Sequence, residues 1–167
     1  MPLPPQKDGI KPLTRGARGG IIKKKTYSED EMNVNSVINY CLGLSYYDLE
    51  NFAGRNFMVV YDHVKATSRV NPNDVLIPTI FTCIASDGRL SEGEWKFVMT
   101  FIGGYSYDDA LATAGEFYCA EAQATVRDFI NAFPSNVREA YINMCLAVLS
   151  VDGRISDYET CFLNNIL

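Results

Sequence analysis

Two stretches of this chain carry one pattern: DGRLSEGE at 87–94 and DGRISDYE at 152–159. Both read D-G-R-[LI]-S-x-x-E, and each follows an apolar run, IPTIFTCIAS in the first case and AYINMCLAVLSV in the second. Such a pattern writes a corner between two helices. Gly88 and Gly153 can take the left-handed backbone conformation that ends a helix, which costs a residue with a β-carbon. Leu90 and Ile155 return the loop to the core. Ser91 with Glu94, and Ser156 with Glu159, have the spacing of capping boxes. The serine oxygen accepts the amide of the third helical residue, whose carboxylate reaches back to the serine amide. Two copies do not make a solenoid, but they require a helix on each side of each corner.

The rest of the sequence supplies helices to match. Ser28 to Glu31 reads as a further capping box, followed by Val34, Val37, Ile38, Cys41 and Leu42 at amphipathic-helix spacing and by Gly43 as a stop. Leu49, Phe52, Ala53, Phe57, Val60, Tyr61 and Val64 continue the helical phase, with Gly54 as a candidate break. Asn71-Pro-Asn-Asp74 is a start signal for Ile77, Ile80, Phe81 and Ile84. Trp95, Val98, Met99 and Ile102 follow the first corner and stop at Gly103-Gly104. Ser106 caps a short helix, and Ala122 to Phe133 forms another, closed by Pro134. The segment after Ser135 is apolar on two faces: Val137, Tyr141, Met144, Cys145 and Val148 form one, and Ile142, Leu146 and Leu149 the other. A helix of that kind belongs in the middle of a bundle. No alternating strand pattern competes, so the expected fold is all-α, a compact bundle with two repeated helix–loop–helix corners.

Charge divides the chain in two. Residues 1–27 hold seven basic side chains against Asp8 alone, a balance of +6, whereas the remainder holds eight basic and nineteen acidic side chains, a balance of -11. The first segment also holds four of the seven prolines and four of the twelve glycines. It is too poor in large apolar residues to offset the entropy of ordering it. The expected organisation is a flexible basic arm at 1–27 and a helical domain at 28–167. The start MPLPPQKDGIKPLTRG lacks the apolar stretch of a secretory signal, and no run approaches a membrane span. A cytoplasmic protein is expected.

The cysteines point the same way. Cys41, Cys83, Cys119, Cys145 and Cys161 are odd in number, widely spaced and without a zinc-ligand pattern. Most lie among apolar residues, as reduced buried thiols in a reducing compartment would. A catalytic thiol needs a base, and the sole histidine is His63, on a helical stretch where packing is its expected role. No nucleophile–base pair, phosphate-cradling glycine loop or histidine-rich metal motif is present. The sequence therefore points to a binding or scaffolding module and away from an enzyme.

Corner geometry alone accounts for every residue of the repeat, without a ligand. The same residues also hold Asp and Glu at fixed separation, as in the second half of a calcium-binding EF-hand loop. With Gly88 as the turn glycine, Glu94 takes the last ligand position, but the first two fall on Cys83 and Ala85. In the second copy they fall on Val148 and Ser150. A conventional EF-hand is excluded. What remains is at most a site built from Asp, Glu and backbone oxygens.

Paired helix-DG-x-[LI]-S-x-x-E corners in a helical domain of this size resemble the TerB-like (tellurite-resistance TerB) family. The likeness covers residues 78–167 and rests on ASDGRLSEGEWKFV, FINAFPSNVREAYI and LSVDGRISDYETCFL. It implies a compact bundle in which the two corners form a pseudo-symmetric pair, and a non-enzymatic role in cytoplasmic stress or phage-defence systems, working with a protein partner. It also implies a divalent cation, calcium or another, with Asp87, Glu94, Asp152 and Glu159 as its ligands. Arg89 and Arg154 depart from that picture, since either could neutralise the carboxylates by salt bridging. The basic arm is not part of the family pattern. Its Arg15, Arg18, Lys23, Lys24 and Lys25 suit the phosphates of a nucleic acid, although no aromatic side chain interleaves with them before Tyr27. An anionic membrane surface, an acidic partner protein, or the chain's own acidic body would also attract them.

Overall fold

The structure, a computed structural model, describes residues 33–165, all within one compact unit, Glu31–Leu167. The basic arm and the Ser28–Glu31 box lie outside the described residues. Eight helices and no strand are present among the described residues: α1 (Val34–Leu42), α2 (Tyr46–Thr67), α3 (Pro72–Ile84), α4 (Glu92–Met99), α5 (Tyr107–Phe117), α6 (Ala120–Asn131), α7 (Ser135–Ser150) and α8 (Asp157–Asn164). The expected all-α bundle is therefore the fold. No described helix is long and apolar enough to cross a membrane.

Helix starts follow the side chains that can accept an amide. Asn33, Ser45, Asn71, Ser91, Ser106 and Ser156 each take a backbone N–H in the first turn of the helix that follows. The helix bearing the Val34 stripe thus begins under Asn33. One of the two glycines expected to punctuate these helices behaves differently. Gly54 does not break α2, which runs through it for 22 residues, because flanking turns bury Leu49, Ala53, Phe57 and Val60 against the core. Gly43 does end α1, but with right-handed φ/ψ of -86° and -9°.

Helix α7 is the centre. Eleven of its sixteen residues are buried, in an unbroken run from Met144 to Ser150. It packs most extensively against α2 and also touches α1, α3, α4 and α6. The two apolar faces read from the sequence are what allow one helix to be covered from so many directions. Helix α3, apolar nearly all round, lies beside α7 and contacts α2, α5, α6 and α8. The corners at issue are the exits of these two central helices, so each loop is anchored to the most deeply buried part of the molecule.

Of the five thiols, Cys41, Cys83 and Cys145 are buried, but Cys119 and Cys161 are exposed. Cys119 caps α6, its sulfur accepting the Ala122 amide at 3.4 Å. Burial pushes the Cys41 thiol up to about 11. Cys83 Sγ and Tyr141 Oη are 3.0 Å apart in the core. His63 packs edge-on against Phe133, with ring centroids 5.4 Å apart.

Candidate functional site

Each corner is built as its sequence requires. Gly88 (φ +81°) and Gly153 (φ +66°) take the left-handed conformation, and their amides bond to Ala85 and Ser150 carbonyls at 2.9 and 3.0 Å. Both capping boxes are complete. At the first corner Glu94 N donates to Ser91 Oγ at 3.0 Å, and Ser91 N donates to Glu94 Oε2 at 2.8 Å. At the second the matching distances are 3.2 Å for Glu159 N to Ser156 Oγ and 2.8 Å for Ser156 N to Glu159 Oε2.

The capping glutamates are not surface residues. Glu94 is 6% and Glu159 4% exposed. Burial first, and then the charges of Glu159 and Asp152, push the Glu94 carboxyl up to about 7, against the opposing pull of its hydrogen bonds with Ser91. Burial and the charge of Asp87 likewise raise Glu159, against the hydrogen bonds with Ser156. The four candidate carboxylates therefore occupy one electrostatic neighbourhood: Glu94 feels its counterpart and the opposite loop's aspartate, and Glu159 feels Asp87.

The two aspartates are used differently. Asp87 Oδ1 accepts the Arg89 amide at 2.9 Å, which turns it back onto its own loop. Asp152 reaches across to the other corner. A β-carbon built on Gly93, in the first turn of α4, would stand 2.5 Å from Asp152 Oδ1. The position matching Gly93 in the second corner is Tyr158, 57% exposed, so the arrangement is one-sided. Nothing in the repeat pattern singles out Gly93.

The first corner is also clamped by its neighbours. Tyr107 Oη donates to the Leu90 carbonyl at 2.8 Å. The Tyr118 ring lies over Gly88, where a β-carbon would come within 3.0 Å of Tyr118 Cζ. The same construction at Gly153 meets nothing within 4 Å. Just before Asp87, the fully buried Ser86 hydroxyl has no hydrogen-bond partner.

Arg89 and Arg154 are exposed. The one ion pair among the described residues is Lys96 with Glu92, at 2.9 Å, so neither arginine neutralises a corner acid. Among the described residues no three histidine, cysteine or carboxylate side chains stand together as a ligand set for a metal ion. The corners thus supply hard oxygen donors in a shared field of negative charge, without a completed coordination shell. Arg15, Arg18, Lys23, Lys24 and Lys25 lie outside the described residues. No protein-family model matches the chain, and no curated protein or solved structure matches it.

Proposed function

We propose that this protein is a non-enzymatic, TerB-like interaction module that serves a cytoplasmic stress or phage-defence system, with its two acidic corners as the working face. One observation supports this most directly: two buried glutamates and two aspartates from separate corners share one electrostatic neighbourhood, and that crowding adds to the burial that raises Glu94. Stability alone does not call for this arrangement, since uncharged caps would close the same helices.

A positively charged ligand relieves such crowding. That ligand is a basic segment of a protein partner, or a divalent cation of the calcium type, for which carboxylate oxygens have the right hardness. Asp87, Glu94, Asp152 and Glu159 would hold the cation, and the charge it supplies would lower the pKa of Glu94. Because no three of them are gathered as ligands, the cation reading requires these side chains to move when it binds.

The test is a calorimetric titration of calcium and of manganese into the full chain, alongside Asp87→Ala/Asp152→Ala. Binding that releases protons near pH 7 and is lost in the double variant supports the cation. Capture of a protein partner that is lost in the same variant, with helicity unchanged, supports the module without the cation. Wild-type behaviour of the double variant in both assays defeats the reading.

The second reading, a nucleic-acid-associated protein, is favoured by the +6 balance of residues 1–27. Deleting the arm should then abolish binding to a DNA or RNA probe, and log affinity should fall linearly with log salt. No binding at low salt removes it.

A further inference from the structure

Helices α6 and α8 both rest on α3 and leave a groove of about 350 Å³ between them. One wall carries Ala120, Gln123, Ala124 and Arg127 of α6. The other carries Tyr158, Cys161, Phe162 and Asn165 of α8. Each set is spaced i, i+3, i+4, i+7, so each wall is a single helix face. The groove reverses the charge of its surroundings. Residues 28–167 hold eight basic and nineteen acidic side chains, yet Arg127 is the one charged residue on either wall. Glu121 and Asp128 of the same helix lie off the groove face. Arg127 is half-buried and makes no ion pair among the described residues. A partly desolvated guanidinium ordinarily holds a carboxylate or phosphate on its fork. Among the described residues the fold supplies none.

We infer that this groove docks a peptide segment of a protein partner in which an apolar side chain stands beside an aspartate or glutamate. The apolar side chain sits against Tyr158 and Phe162, in the space that the short Ala120 and Ala124 leave open. The neighbouring carboxylate takes the Arg127 guanidinium in a two-pronged hydrogen bond. Gln123 donates its amide nitrogen to the Ser86 carbonyl at 3.5 Å and offers its oxygen to a peptide N–H. That contact also sets the groove beside the first corner. Seven residues of helix advance about 10 Å, which is room for about three extended residues at roughly 3.3 Å each. A peptide is favoured over a phosphate because one guanidinium stands alone among apolar and amide groups, whereas phosphate sites gather several donors. The acidic body around the groove also repels a polyanion more than it repels a single carboxylate. The groove has the opposite polarity to the acidic corners, so it stands whether or not they bind a cation.

Panning a random dodecapeptide phage library against the full chain tests this. Enriched peptides should place Asp or Glu within a residue or two of Leu, Ile, Met or Phe. A synthetic copy of the leading peptide should bind Arg127→Gln about tenfold or more weaker than wild type by calorimetry. Ala124→Leu fills the slot and should weaken binding as well, with circular dichroism confirming that each variant is folded. In a Cys119→Ser background Cys161 is the exposed thiol among the described residues, and saturating peptide should slow its alkylation by iodoacetamide several-fold. Failure to enrich any acidic–apolar peptide overturns the inference. So does a peptide that binds Arg127→Gln as tightly as wild type, or one that leaves Cys161 alkylation unchanged. Enrichment of basic peptides alone overturns it too, and their loss in Asp87→Ala/Asp152→Ala would assign them to the corners.

Discussion

The carboxylate of Asp152, on the loop leaving α7, rests against the backbone of Gly93 in the first turn of α4. The two corners are thereby joined by a contact that needs a short acid on one side and no side chain on the other. A carboxylate at the start of a helix also gains from the amide dipoles there, by about 0.3–1 kcal/mol at exposed sites.

Gly93→Ala should accordingly behave in a background-dependent way. On its own it gains helix propensity but displaces Asp152, and the two effects should nearly cancel. In an Asp152→Ala background the same change should stabilise by about 1 kcal/mol, the ordinary helix preference of alanine over glycine. Urea denaturation of the four proteins in this cycle measures the coupling. Identical effects in both backgrounds would show that Asp152 and Gly93 do not touch.

Glu94 sets a pH dependence. Its carboxyl is raised from 4.5 to about 7 in the fold, so between those values the folded protein holds more protons than the unfolded chain. The stability linked to this group is fully present below about 4.5 and is lost as pH rises through about 7. Glu94→Gln retains an acceptor for the Ser91 amide, as glutamine does in a capping box, and removes the buried charge. The variant should melt higher than wild type at pH 8 and show a flatter profile between pH 5 and 7. A wild-type profile in the variant would place the titration elsewhere.

The two turn glycines should differ in their tolerance of alanine. Both sit at positive φ, which costs a residue with a β-carbon about 1–2 kcal/mol. Gly88→Ala must in addition push the Tyr118 ring, 3.0 Å from the new carbon, whereas Gly153→Ala enters open space. The first should be the more destabilising, and Tyr118→Ala should recover part of the difference. Thermal melts of the three variants decide it.

Ser86→Ala should be neutral or stabilising, by up to about 1 kcal/mol. The hydroxyl is buried without a partner, so removing it relieves a desolvation penalty and breaks no hydrogen bond. A loss of stability would reveal a partner for that oxygen.

Much of this fold was readable beforehand. Helix-forming stripes, serine caps and the doubly apolar α7 are local or periodic signals; Ser91, Ser106 and Ser156 came out as caps and α7 as the centre, while the Ser28 box lies outside the described residues and α4 ends at Met99, short of Ile102. The corners were legible in detail because glycine bends and capping boxes act within a few residues. What escaped depends on contacts distant in sequence. Gly54 was readable as a break only while the burial of Ala53 and Phe57 around it was unknown. Cys161 lies in a helix with one bare side and Cys119 at the cap of another, and composition cannot say whether such a residue turns inward. The use of Gly93 by Asp152 required two loops to meet, which no spacing within either loop encodes. Which acid turns inward and which reaches across is likewise a property of the packed pair.

The burial of α7 bears on how the chain acquires its shape during synthesis. Ser135–Ser150 leaves the ribosome late, yet it is the main covering of α2, whose residues emerge much earlier. Until then the inner side of α2, with Leu49, Phe57 and Val60, has no lasting shelter. A nascent chain halted before Ser135 would expose that apolar surface and depend on a chaperone to stay free of aggregates.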